Sequence, residues 1–234
     1  MRVSEFQRYL QELDRDSGPD ATRLSALPPS LMQDLMRFES ADRDGLDQLE
    51  VLAAAVRHSR ALLLHLRHEG HVLPLTVFPL ERVAHCPLPF DELLTSQGRD
   101  LQVLHVEPAV LRAPGDGERT LVAEAALYAP LGPLLWALAL RSARDELLPE
   151  IAGSAAYRVA PGLDLRGLQL DGTLAAAVSR LQRHTTSLRE MAGWPGFDRG
   201  RATRMLNGLY LQAGLIVSRA HPAATNDGWA SGGR

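Results

Sequence analysis

Residues 61–86, ALLLHLRHEGHVLPLTVFPLERVAHC, constrain this chain more than any other stretch. Apolar and polar side chains alternate there with a period near two, which suits a strand and not a helix. Glu69–Gly70 interrupts the alternation, and glycine accepts the positive φ that a tight hairpin turn demands. The segment therefore predicts two antiparallel strands joined at Glu69–Gly70. Pro74 lies inside the second strand and has no N–H to give a ladder, so that strand must lie at an edge or carry a bulge.

Helical periods surround this hairpin. Val3, Phe6, Leu10 and Leu13 recur on one face of 3–15, and Ser17–Pro19 breaks the repeat. Pro29 suits the first turn of a helix over 29–39, with Leu31, Leu35 and Phe38, or Met32 and Met36, inward. A third helix is expected from Asp47 to His58, with Leu49, Leu52, Ala53 and Val56 buried. Residues 90–94 read as a helical turn. Residues 101–112 read as a strand broken at Pro108, and 113–118 (APGDGE) as a hairpin loop. The run 120–128 fits a strand or a helix equally well. Pro133 opens a helix expected to reach Leu148. Its apolar residues, Trp136, Leu140 and Leu147 with Leu134, Leu135 and Leu138, are too widely spread for one stripe. Such a helix belongs in a core or is shared with a second copy of the chain, so a homodimer is one expectation. This order predicts an α+β fold in which helices pack on an antiparallel sheet.

The apolar run 131–140 spans ten residues, whereas a bilayer needs about 20. No membrane role is expected. The N-terminus lacks the apolar centre of a signal peptide, which points to the cytoplasm. One cysteine, Cys86, excludes a disulfide framework and a four-cysteine zinc module. All 25 basic residues are arginines. Without lysine there is no Walker A phosphate site, no protein-kinase lysine and no Schiff base. The formal charge is −3 overall, but it runs −5 over 1–50, −3 over 51–172 and +5 over 173–234. Nucleic-acid binding is not expected of the whole chain, only of its C-terminal part.

That part has its own organisation. A helix over 173–183 would bury Leu174, Ala177, Val178 and Leu181. Ser187 and Glu190 have the spacing of a capping box for a second helix. The turn AGWPGF precedes a third helix capped by Asp198 and running to about Gln212, with Gly214 as its stop and LIVSR as a strand. The pattern TTSLREMAGWPGFDRGRATRMLNGLYLQAGLIV resembles winged-helix modules, most of all the small ones that end bacterial regulatory and signalling proteins. The resemblance covers roughly 50 residues. It implies that 187–193 is the second helix, 198–212 the third and 215–219 the first wing strand. The expected domains are 1–150, a connecting segment at 151–172, the winged-helix-like module at 173–222 and a mobile tail at 223–234.

Candidate functional residues follow from the wheel of the 198–212 helix. Ala202, Met205, Leu206, Leu209 and Ala213 face inward. Arg201, Arg204, Asn207, Gly208 and Leu211 face outward. In a DNA reader, arginine would pair with guanine and asparagine with adenine. Leu211 on that face, and a chain with little room for a second wing strand, favour a protein partner. Gly208 admits close approach of another element. The expected partner-binding set is Arg199, Arg201, Arg204, Asn207, Gly208, Leu211 and Trp194, with Phe197 as a second aromatic anchor.

Six histidines fall within 58–105, namely His58, His65, His68, His71, His85 and His105, and Cys86 adjoins His85. Their spacing matches no standard ligand motif, although a hairpin could bring His65 near His71. In a strand, His85 and Cys86 would point to opposite faces, so they do not form a nucleophile–base pair. There is no G-x-S-x-G elbow. The acid pairs Asp14/Asp16 and Asp42/Asp44 lack an apolar pocket to tune them. No catalytic, cofactor or metal residue is assigned. The sequence reads as a non-enzymatic regulatory or adaptor protein that docks another protein or its own acidic N-terminal half. A DNA-binding regulator is the first alternative, and a metal- or cysteine-dependent enzyme is the second.

Overall fold

The computed structural model describes residues 1–16, 27–39, 47–95 and 101–224. The helix end expected at Ser17–Pro19, the pair Asp42/Asp44 and most of the expected tail (225–234) lie outside these residues. So do the side chains of Leu13, Asp14, Asp16 and Phe38. The chain divides into two compact units, Met1–Leu131 and Gly132–Arg234. The division falls 19 residues before the boundary expected at 150, so residues 132–150 join the C-terminal unit.

The first unit contains α1 (Val3–Asp16), α2 (Pro29–Glu39), α3 (Gln48–His58), β1 (Leu62–His68), β2 (His71–Phe78), β3 (Val83–His85), α4 (Phe90–Thr95), β4 (Gln102–Pro108) and β5 (Tyr128–Pro130). Its sheet has the order β4-β1-β2-β3-β5, and every neighbouring pair is antiparallel. Alternation on β1 and β2 sends Leu62, Leu64, Leu66, Leu75 and Val77 into the core. Asp47 caps α3, its carboxylate accepting the Leu49 N–H at 2.8 Å.

The hairpin turn lies where the sequence places it. Glu69 and Gly70 have φ of 49° and 78°, the paired positive values of a type I′ turn. Pro74 is not on an edge strand, because β2 has neighbours on both sides. The Val72 N–H, two residues earlier, points away from β1 to the Met1 carbonyl at 3.0 Å. Pro74 shares that orientation, and β3 begins pairing only at Thr76. Its missing donor therefore falls in a gap between two partners. The ambiguous run 120–128 is neither a regular strand nor an α-helix. It forms single 3₁₀ turns at Arg119–Leu121 and Ala125–Leu127 and then enters β5.

The second unit contains α5 (Leu131–Arg141, whose first residue closes the first unit), β6 (Ala156–Val159), α6 (Gly172–Arg183), β7 (Thr186–Ser187), α7 (Leu188–Ala192), α8 (Arg199–Leu211) and β8 (Leu215–Ser218). Its antiparallel sheet has the order β7-β6-β8. The chain is thus α+β, with an antiparallel sheet in each unit. Among the described residues no helix is long and apolar enough to cross a membrane.

Local chemistry sets the helix ends of this unit. Ser187 Oγ accepts the Glu190 N–H at 3.3 Å, while the Glu190 carboxylate turns to Arg180 and leaves half a capping box. Asp198 caps α8 through the Arg201 N–H at 2.6 Å. α5 stops at Arg141, short of the expected Leu148. Ser142 Oγ accepts the Arg144 N–H, and the Arg144 guanidinium donates to the Glu146 and Leu147 carbonyls. These bonds replace another helical turn. α8 ends in a Schellman motif, with Gly214 N–H bonded to the Leu209 carbonyl and Ala213 N–H to that of Tyr210. The left-handed residue is Ala213, at φ 54°, and not the expected Gly214.

Candidate functional site

The residues proposed from the α8 wheel all lie in the second unit. Gly208 sits under the ring of Trp136 from α5, so close that a Cβ there would lie 2.7 Å from Cε3. The Trp136 indole N–H donates to the Gln169 carbonyl at 3.2 Å. Asn207 is fully buried. Its Oδ1 accepts the Leu148 N–H at 2.9 Å, and its Nδ2 donates to the Glu146 carbonyl at 3.1 Å. Leu211 is buried, and Arg204 reaches Asp145 at 3.2 Å.

This corrects the expectation of an exposed outer face. Asn207, Gly208 and Leu211 are inaccessible in this structure, and residues 136 and 146–148 of the same unit cover the first two. Asn207 spends both ends of its amide on backbone, which is the chemistry a base-reading asparagine would have to offer in a groove. Trp136, 1 % exposed, is buried as well.

The aromatic turn carries a different surface. Trp194 is buried and meets Phe197 edge-on, with ring centroids 6.2 Å apart. Arg180 lies above Trp194, its Cζ 4.5 Å from the ring centroid. Arg201 lies above Phe197 at 5.1 Å, and its Nη1 donates to the Gly196 carbonyl at 2.8 Å. Trp194 is therefore the floor beneath an arginine and not an exposed anchor. Arg199, at the start of α8, is exposed.

Arg180 also lines an open cleft of about 660 Å³ together with Ala176, Arg183, His184, Thr185 and Glu190. Glu190 Oε1 takes one Arg180 nitrogen at 3.2 Å, and Arg183 Nε donates to the Ser179 carbonyl at 3.1 Å. Exposed contacts of this kind are worth about 1 kcal/mol or less each. Their effect is to orient the two guanidiniums, in a lining that holds two arginines and one carboxylate. Sequence reasoning passed over Arg180, Arg183 and His184. The signal was present in RLQRH, where two arginines three apart share a helix face just before the strand.

In the first unit the sheet unites two of the six histidines. His65 pairs across strands with His105, and not with His71. Their rings stack at 5.8 Å, with Phe6 edge-on to His65 at 4.7 Å. Glu107 Oε1 lies 3.7 Å from His65 Nε2. His58 bonds Asp34 at 2.8 Å, and His85 packs against Tyr128 at 5.0 Å. Among the described residues no three His, Cys, Asp or Glu side chains are grouped as a metal would require. Cys86 is buried, and burial pushes its thiol above the usual range, against the pull of a backbone hydrogen bond at Leu88. The reactive thiolate is thereby disfavoured.

Comparison of the chain with protein-family models, curated proteins and solved structures finds no match.

Proposed function

We propose that this is a cytoplasmic, non-enzymatic regulatory or adaptor protein, and that its second unit docks an acidic segment of another protein in the Arg180–Arg183 cleft. The observation that carries this reading is Arg180, its Cζ 4.5 Å above the Trp194 ring centroid, beside Arg183, His184 and Thr185 in an open cleft. A guanidinium already oriented by the ring and by Glu190 loses less freedom when a carboxylate arrives than an unrestrained one would. The +5 charge of residues 173–234 would draw an acidic partner toward it.

The element order also supports it. α6, β7, α7, α8 and β8 follow one another as the helices and strands of a winged-helix module do. Here β8 pairs with β6, which precedes the helices, and α5 lies across α8 at Gly208. A module arranged so keeps its third helix inside and offers its flanks to partners.

The test is a titration of the full chain, followed by amide resonances, with a glutamate-rich peptide and separately with duplex DNA. Peptide shifts centred on 176–190, weakening with salt and reduced about tenfold by Arg180→Ala with Arg183→Ala, are expected. Duplex binding without peptide binding would overturn the reading.

A further inference from the structure

Among the described residues β8 has a strand neighbour on one side only. The Ala160 N–H bonds the Gly214 carbonyl at 2.8 Å, and Ile216 stands opposite Arg158. In an antiparallel ladder alternate residues turn both backbone groups the same way. Gly214, Ile216 and Ser218 therefore face β6, and Leu215 and Val217 turn their N–H and C=O groups outward. Among the described residues nothing pairs with them, because β8 is the last strand of its sheet. The Ile216 side chain is 45 % exposed.

Natural edges of this kind are guarded by charges, proline, bulges or a covering element. The strand LIVS has no charge and no proline. The arginine that follows does not guard the edge. Arg219 folds back on the carbonyls of Glu150, Ala152 and Ser154.

We infer that β8 pairs antiparallel with β8 of a second copy of this chain, with Leu215 opposite Val217 of the other copy and the two Ile216 side chains face to face at the two-fold axis. The register follows from the phase of the ladder. The outward groups of Leu215 and Val217 satisfy one another reciprocally, giving four backbone hydrogen bonds. Ile216 meets its symmetry mate at a non-hydrogen-bonded position, where cross-strand side chains come closest. The pairing brings no like charges together, covers both exposed isoleucines and joins two three-stranded sheets into one of six strands. It is independent of the Arg180 cleft, which adjoins the opposite edge strand, β7.

Sedimentation of the full chain across a concentration series tests it. The wild type should show a monomer–dimer equilibrium. Ile216→Lys and Ile216→Glu should each weaken it about tenfold or more, since each puts like charges face to face. Mixing the two variants should restore the dimer. Circular dichroism controls for folding. Should both charged variants unfold, Ile216→Cys replaces them and should give a disulfide-linked dimer under a mild oxidant, while wild-type chains with buried Cys86 do not. A wild type that stays monomeric, a dimer indifferent to both charges, or no cross-link through Cys at 216 would overturn the inference. So would a monomer in which the Leu215 and Val217 amides resist hydrogen exchange, because the chain itself would then cover the edge.

Discussion

Gly208 and Trp136 are in backbone-to-ring contact: a methyl group on the glycine would lie 2.7 Å and 2.9 Å from Cε3 and Cζ3 of the indole. Trp136 is 1 % exposed and tied to Gln169, so the ring has little room to move. Gly208→Ala should gain about 1 kcal/mol of helix propensity and lose about 1–3 kcal/mol to overpacking. Net destabilisation by denaturant melting is expected. Trp136→Leu in the same chain should absorb part of the clash. A double-mutant cycle showing strictly additive losses would mean that the two residues are not coupled.

Asn207 makes the next prediction. Its side chain is the hydrogen-bonding partner of the Leu148 N–H and of the Glu146 carbonyl, and it lies fully buried. Asn207→Leu keeps the approximate volume and strands those groups. The expected loss is about 1–3 kcal/mol for each group left unsatisfied, with hydrogen-exchange protection falling first at Leu148. A melting curve unchanged by the substitution would show that the 146–148 segment does not depend on it.

These two contacts also mark where the sequence stopped being legible. The α8 wheel placed Ala202, Met205, Leu206 and Leu209 inward correctly, but it also put the exposed Ala213 there and treated Asn207, Gly208 and Leu211 as outward because nothing local covers them. Trp136 is 72 residues away from Gly208, and no periodicity reports a contact of that separation. The end of α5 at Arg141 was hidden for the same reason, since backbone and side-chain bonds within 142–148 and the distant Asn207 compete with further helix. β6 was missed as a defined strand because it is four residues long and both of its partners lie downstream. Features with local causes were readable: the Glu69–Gly70 turn, Pro29 in the first turn of α2, and the Ser187 and Asp198 caps. Of the candidate surface, the arginines over the aromatic turn were foreseen in part. The cleft at Arg180 was not, because Trp194 was read as an anchor and not as a floor.

Acid should weaken the first unit through His85. The imidazole is buried, and its Nε2 makes no hydrogen bond among the described residues. Burial holds it below its ordinary value of 6.5. The unfolded chain therefore takes up a proton as pH falls through 6.5, while the folded chain does so only at lower pH. Stability is highest above 6.5 and declines between that value and the folded one. Asp34 acts in a separate, lower window. Its burial works to raise the carboxyl, but the His58 hydrogen bond and the charge and hydrogen bond of Arg57 outweigh it and hold it below 3.8. Its contribution is lost only as pH falls below that value. Denaturant melts from pH 7 to pH 5 should show a shallower decline for His85→Leu than for the wild type. Equal slopes would remove His85 from the acid response.

Ala213 offers a gain. It closes the Schellman motif of α8 in the left-handed region, at φ 54°, where an L-residue is strained by about 1–2 kcal/mol. Glycine is the usual residue at this position, and the sequence places one a single step later, at 214. Gly214 cannot exchange roles with it, since a Cβ at 214 would run into the Leu163 methyls. Ala213 is exposed, so removing its methyl sacrifices no packing. Ala213→Gly also enlarges the freedom of the unfolded chain, which offsets part of the relief. A net stabilisation of about 0.5–1 kcal/mol is expected. Gly214→Ala should be destabilising by more than that, through Leu163. Thermal melts that move the two variants in opposite directions would support this division of labour. A destabilised Ala213→Gly would show that the left-handed turn is not strained.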